Sequence, residues 1–386
     1  MKPIKPLRIL HVIGKMDLAG AEIMIMNLYR AIDREIVQFD FVEHSNKLAA
    51  FDEEIEALGG IIYRAIRFNG RNIIEYCSWW NRFFENHKEE YHIIHGHIGS
   101  CAAIYLTIAK KNGCICIAHS HNTDHLVEFR NYLYKVYSYP TRFIADYFFA
   151  CSKAALVSRY GYKHCLEKSI NSVDEITINS KSIILPNAIS TSLFAYNINA
   201  REQIRWELGL SDKIVLGNVA RFSKQKNHMF LIDIFYNIHK IYENAMLMLI
   251  GVGELKEEIE NRVRHLGISN SVLFLGNRID ISDLMQAMDF FVFPSLYEGL
   301  GVAIIEAAAS GLCCLISSTI PNEAHVTKKV IPIPINKGTE PWVTAFTANL
   351  TYHRQDCSDI VKAAGYDNKD ISKKLQEFYL NVLPNN

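Results

Sequence analysis

The chain has 386 residues, of which 49% are hydrophobic and 21% charged, and its 41 Lys and Arg balance 41 Asp and Glu. That length exceeds one ordinary core and predicts two domains, each with enough apolar residues to bury its own. Zero net charge gives no electrostatic footprint for nucleic acid, and no uncharged apolar run of about 18 residues offers a membrane span.

The start, Met1-Lys2-Pro3-Ile4-Lys5-Pro6, leads straight into a strand without a signal-peptide core, so a cytoplasmic location is expected. The run 7–13 reads as that strand. A loop with Gly14 and Gly20 follows, then an amphipathic helix from about 21 to 32. Strand patterns recur at 37–42, 61–65, 92–95, 115–119 and 147–151. Helix patterns recur at 50–58, 73–87, 101–111 and 153–160, the last with Ser152 as N-cap. The pattern lapses over the polar stretch 171–181, resumes at 182–185, and meets a turn signal at Pro186-Asn187, so the linker is placed at 187–199. A second series then runs through strands at 214–219, 245–250, 272–274, 290–293 and 313–316. Its helices fall at 228–241, 255–266, 282–287 and 302–310, with one more at 371–383.

Strands alternating with helices imply parallel, doubly wound sheets. The expected fold is therefore α/β, with two Rossmann-like domains facing a cleft. The first spans 1–190 and the second 191–365; a C-terminal helix in 366–386 could pack back on the first. Nine cysteines are scattered without a C-x-x-C pair, which reads as buried reduced thiols.

Ligands of such sheets bind beyond the carboxyl ends of the strands, and the densest signal lies at one. The run Phe290-Phe291-Val292-Phe293 stops at Pro294-Ser295, a turn with Gly299 and Gly301 follows, and an apolar helix begins. Unpaired N–H groups and the positive helix end suit a phosphate. Glu298 and Glu306, with seven residues between them, bracket the turn. Carboxylates repel phosphate but accept hydrogen bonds from sugar hydroxyls, so the turn suits an anionic ligand with hydroxyl-rich ends. Strand 214–219 runs into a loop with Arg221 and Lys226, which either clamps a diphosphate or is a solvated basic loop; Lys224 is expected in solvent. Gly251-x-Gly253 is a phosphate turn or only a tight one. Asn277-Arg278 either lies against a base or is surface loop.

Together Arg221-Phe222-x-x-x-Lys226, Gly251-x-Gly253 and Pro294-Ser295-x-x-Glu298-Gly299-x-Gly301 with Glu306 resemble the retaining glycosyltransferases of the GT-B fold, family four. His11-Val12-Ile13-Gly14, Gly20-Ala21-Glu22 and Ala118-His119-Ser120-His121-Asn122 are similar to its bacterial capsule, exopolysaccharide and O-antigen branch. The resemblance implies transfer of a hexose or N-acetylhexosamine from a nucleotide diphosphate sugar, UDP-linked, to a lipid-linked glycan. It gives Arg221 and Lys226 the pyrophosphate. Glu298 receives the transferred sugar, helped by the N–H groups of Gly299, Leu300, Gly301 and Val302. Glu306 receives the ribose, and His121, or His119 in another register, the reacting sugar. Gly20 approaches the phosphates or the acceptor. Two departures stand out: Ala19-Gly20 where the family has Gly-Gly, and Ala188 after Asn187 where glycine is usual.

His95-x-His97 and His119-x-His121 each turn two imidazoles to one strand face, as zinc would need. No Cys, Asp or Glu is obviously placed to complete a tetrahedron, so no metal or other cofactor is expected, and the resemblance implies none at the diphosphate. The segment 126–163 interleaves Tyr132, Tyr134, Tyr137 and Tyr139 with Arg130, Lys135, Arg142, Lys153, Arg159 and Lys163. It is either a packed helix with snorkelling ends or a seat on an anionic membrane; the resemblance favours peripheral membrane contact. A non-catalytic sugar-nucleotide-binding partner of another transferase is a second functional class. An oxidoreductase is a third, disfavoured because no G-x-G-x-x-G follows the first strand.

Overall fold

The computed structural model describes residues 5–121, 136–161 and 181–383. The chain divides into two units, Met1–Ala188 with Asn368–Asn386, and Ile189–Asp367. The polar stretch 171–180 and the aromatic-basic residues Arg130, Tyr132, Tyr134, Lys135 and Lys163 lie outside the described residues.

In the first unit, β1 (Leu7–Ile13), β2 (Val37–Glu43), β3 (Ile62–Arg64), β4 (Ile93–Gly96), β5 (Ile115–Ser120), β6 (Tyr147–Ala150) and β7 (Ser182–Ile184) form one sheet. Their order is β3-β2-β1-β4-β5-β6-β7, all parallel. Side chains alternate across a strand, and the two faces divide accordingly. Leu10, Ile94, Cys116 and Phe148 pack with Tyr76, Trp80 and Tyr105. Ile9, Ile93, Ile117 and Phe149 pack on the other side with Met24, Leu28, Ile371, Leu375 and Tyr379. The C-terminal helix Asn368–Asn381 thus closes the first unit's core. The Ser372 hydroxyl donates to Leu28 O at 3.2 Å.

In the second unit, β8 (Ile214–Val219), β9 (Ala245–Ile250), β10 (Val272–Gly276), β11 (Phe290–Phe293), β12 (Cys313–Ser317) and β13 (Val330–Ile333) form a parallel sheet in the order β10-β9-β8-β11-β12-β13. The central β11 is buried on both sides. Phe291 and Phe293 enter one core and Phe290 and Val292 the other, which is why its sequence is continuously apolar.

Several elements escape the sequence pattern, among them the helix Glu340–Ala348, strand β13 and the helix Ile198–Glu207. β13 contains Pro332, which argues against a strand interior, but it sits at the sheet edge where a missing N–H is tolerated. The helix Ile198–Glu207 begins inside the expected linker and is mostly polar. It is held by Asn197, whose side chain caps Asn199 and Ala200, and by buried Arg205, which donates to Ala287 O at 2.8 Å. Among the described residues, no helix is long and apolar enough to cross a membrane.

Candidate active site

Strand order reverses between β8 and β11, so the helices that follow these neighbours leave on opposite faces of the sheet and their loops lie side by side at the carboxyl ends of the strands. The β8 loop carries Arg221, a 3₁₀ turn at Lys224–Lys226, and Asn227 in the left-handed region at φ 56° before the helix His228–His239. The β11 loop carries Glu298 and ends at Gly301, whose φ of 85° starts the helix Val302–Ala309. The two loops are stitched together. Leu296 N donates to Gln225 O at 2.8 Å, Gln225 Nε2 to Tyr297 O at 2.8 Å, and Asn227 Nδ2 to Pro294 O at 3.2 Å.

Within this frame the Lys226 ammonium lies 2.6 Å from Glu298 Oε1 and 5.0 Å from the centre of the Phe293 ring. Glu298 is buried. Arg221 is exposed and pairs with Glu254 at 3.0 Å, while Lys224 points to solvent. Gly299, Leu300, Gly301 and Val302 form the entry to the helix, whose first N–H groups lack intrahelical acceptors. In the second turn of the same helix, burial pushes the Glu306 carboxyl up to about 7.

Gly251 and Gly253 are required by close approach. A Cβ on Gly251, at φ 134°, would stand 2.1 Å from Ala220 O, and one on Gly253 2.3 Å from Phe222 O. Gly251 N donates to Gly276 O at 2.8 Å and Phe222 N to Val252 O at 3.0 Å, which ties the β9 loop to both the β10 and the β8 loops. Beyond β10, Asn277 is exposed and Arg278 is engaged with Asp280 at 2.5 Å, so the Arg278 side chain is committed within its own loop.

In the first unit the order reverses between β1 and β4. Gly20 opens the helix Gly20–Ala31 with no atom within 4 Å of where a Cβ would stand. Glu22, in its first turn, is pushed up to about 7 by burial. In the same unit His11, His95 and His119 extend the rows begun by Ile9, Ile93 and Ile117, and His97 and His121 follow two residues on. His121 Nε2 lies 2.8 Å from His97 Nδ1, and His97 Nε2 lies 3.0 Å from His11 Nδ1. His119 Nδ1 lies 3.1 Å from His95 Nε2, whose own Nδ1 meets the Tyr379 hydroxyl at 2.6 Å. Withdrawal from water lowers His121 to about 4 and His11 to about 3. The same burial, with neighbouring imidazoles, holds His95, His97 and His119 well below the usual range. All five are neutral near pH 7.

Sequence reading considered the two H-x-H pairs separately and sought further ligands only among Cys, Asp and Glu. The missing link is a third strand. His11 pairs in register with His95, and equal-height histidines on adjacent parallel strands were the available signal. Glu254 carries no signal of its own in the sequence; its position one residue past Gly253 is what lets it reach Arg221.

A doubly wound sheet in each unit, with a cationic loop and a glutamate-bearing helix start at the reversal of the second, defines a glycosyltransferase of the GT-B class. Residues 200–330 match the family of glycosyl transferases group 1. EpsF, a Bacillus subtilis protein assigned as a glycosyltransferase, is 32% identical over 372 residues, 93% of each chain. The chain belongs to this glycosyltransferase family, and the oxidoreductase alternative falls. The Escherichia coli UDP-Gal:alpha-D-GlcNAc-diphosphoundecaprenol alpha-1,3-galactosyltransferase is 28% identical over 243 residues, 62% of this chain and 61% of that one. The Anabaena protein HepE, solved in complex with UDP and glucose, superposes with a TM-score of 0.76 over 98% of this chain and 100% of its own. At 17% identity that likeness establishes the fold.

Proposed function

We propose that this glycosyltransferase moves a hexose or N-acetylhexosamine, with retention, from a UDP-linked donor to a lipid-linked glycan at the cytoplasmic membrane face, in surface polysaccharide assembly. The observation that carries the reading is the convergence of the β8 and β11 loops, which sets Lys226 against Glu298 at the start of a helix. An ammonium, a guanidinium and helix amides suit a diphosphate, and the adjoining carboxylates suit hydroxyls. The E. coli relative, named for a UDP-galactose donor and a diphosphoundecaprenol acceptor, supports both ends of the reaction.

In this reading the bond from the anomeric carbon to the β-phosphate oxygen breaks, with its electrons leaving on UDP. The acceptor hydroxyl bonds to the same face and gives its proton to that departing oxygen. Arg221, Lys226 and the N–H groups of Gly299 to Val302 stabilise the developing phosphate charge. Glu298 positions the sugar, Glu306 accepts the ribose hydroxyls, and His121 contacts the transferred sugar. Since the cations of the protein face the diphosphate, omission of magnesium and manganese should leave turnover unchanged. The membrane part draws on the exposed Tyr139 and Phe143 and on Arg142, whose guanidinium lies 4.8 Å from the Tyr139 ring centre.

A thermal-shift screen over UDP, GDP and ADP sugars, followed by transfer to a polyprenyl-diphosphate glycan with analysis of the anomer formed, tests the reading. Stabilisation by a UDP sugar and an α-linked product from an α-donor are expected. Inversion, or no response to any nucleotide sugar, would overturn it.

A further inference from the structure

The five-histidine cluster of the first unit has no part in the diphosphate grip. One ring nitrogen from each of His97, His119 and His121 lies within 4.8 Å of the others, as do those of His11, His95 and His97. We propose that His97, His119 and His121 bind one divalent transition-metal ion, with zinc the best-matched, and that His11, His95 and Tyr379 form the outer shell that orients them.

The hydrogen bonds choose between the two triads. His97 Nε2 is occupied by His11, and His119 Nδ1 by His95, which is itself held by Tyr379. That leaves His97 Nδ1 and His119 Nε2 as ligand atoms, and His119 Nε2 is buried without a partner. His121 supplies Nε2, already 2.8 Å from His97 Nδ1. An ion on these three lone pairs fixes every tautomer. His97 Nε2–H then donates to His11 Nδ1, and His119 Nδ1–H to His95 Nε2. His95 Nδ1–H in turn donates to the Tyr379 oxygen. Ligating imidazoles that donate their second N–H to an outer partner are the usual arrangement at protein metal sites.

Without an ion, His119 Nε2 is left buried with no partner, and an orphaned group of this kind costs about 1–3 kcal/mol. Imidazole-only donors suit zinc and its neighbours and not magnesium or calcium. Tetrahedral zinc with N bonds of about 2.0–2.1 Å needs nitrogens roughly 3.3 Å apart, within reach of modest side-chain rotation. Three histidines fill three of the four positions of a tetrahedral zinc and leave the fourth for water or substrate, the pattern of a reactive centre and not of a closed structural one.

Full-length protein without a histidine tag, stripped with chelator and titrated with cobalt(II), tests this directly, because binding is read from the visible spectrum and needs no transfer activity. One equivalent of cobalt, displaced by zinc, is expected. His97→Gln and His119→Gln, checked for native circular dichroism, should lose it, and the exposed His353→Ala should keep it. His95→Gln and Tyr379→Phe should weaken it, about 10- to 100-fold for the former. Failure of folded wild-type protein to bind one equivalent overturns the site. So does an equivalent unchanged in both glutamine variants.

Discussion

The Lys226 ammonium sits 2.6 Å from the Glu298 carboxylate, with the two side chains 20% and 6% exposed. Arg221, by contrast, meets Glu254 where both are more than half exposed, 73% and 53%. The two cations assigned to one diphosphate thus differ in what they hold when it is absent. Lys226→Ala takes the ammonium away from an almost buried carboxylate, which should cost about 3 kcal/mol of stability as well as donor affinity. Arg221→Ala should leave the melting temperature unchanged and weaken donor binding alone. Denaturant melts and UDP titration of the two variants separate these outcomes; equal stability loss in both would contradict the assigned environments.

Glu298→Gln keeps the shape and a carbonyl acceptor for Lys226 but removes a negative charge beside the proposed diphosphate. UDP binding should hold or tighten, while kcat falls about 10²- to 10³-fold, the range for losing one group that acts on the reacting centre. Single-turnover transfer with saturating donor measures the second effect and isothermal titration the first. Near-normal turnover would remove Glu298 from the reaction.

Burial raises the Glu306 carboxyl from 4.5 to about 7. In the ligand-free protein the sign is unfavourable to the anion. The unfolded chain releases its proton first, so stability from this group is lost as pH rises from about 4.5 to about 7. Nucleoside binding pulls the other way, because ribose hydroxyls need the charged acceptor. Affinity for UDP should therefore increase from about pH 6 to about pH 8, and Glu306→Gln should flatten that rise. A UDP affinity that falls over the same interval would refute the ribose contact.

These assignments show how far the chain can be read in advance. The glutamate turn was legible because it is local. An apolar strand, a glycine turn and a helix start lie within 20 residues, and β11 forms as Phe290–Phe293, the range its pattern marked. The Lys226–Glu298 pair was not legible, since it depends on β8 and β11 being neighbours although their starts, Ile214 and Phe290, lie three βα units apart in sequence. Arg205 and Arg354 were missed for a different reason. Arg205 and Arg354 are polar residues used inside the fold. Arg354 donates to Ser310 O, Met288 O, Gln286 O and Met285 O, satisfying carbonyls at helix ends. Hydrophobic periodicity carries no information on such contacts. The histidine cluster falls between these cases, visible as two H-x-H pairs but complete only once the sheet order is known.

The Gly251 turn offers the sharpest separation of backbone from chemistry. Gly251 contributes no side chain to any contact, yet its φ of 134° and the 2.1 Å approach of its virtual Cβ to Ala220 O make it irreplaceable there. Ala220 immediately precedes Arg221, and Gly251 N is bonded to Gly276 O, so a forced shift moves the cationic loop and the β10 loop together. Gly251→Ala should cost about 1–3 kcal/mol in backbone strain alone and lower donor affinity without altering any polar group. Gly14→Ala, where nothing lies within 4 Å of the added carbon, is the control and should leave stability nearly unchanged. Paired chemical denaturation and UDP titration decide the matter: a Gly251→Ala protein as stable and as tightly binding as the Gly14→Ala control would show that this turn does not hold the β8 loop in place.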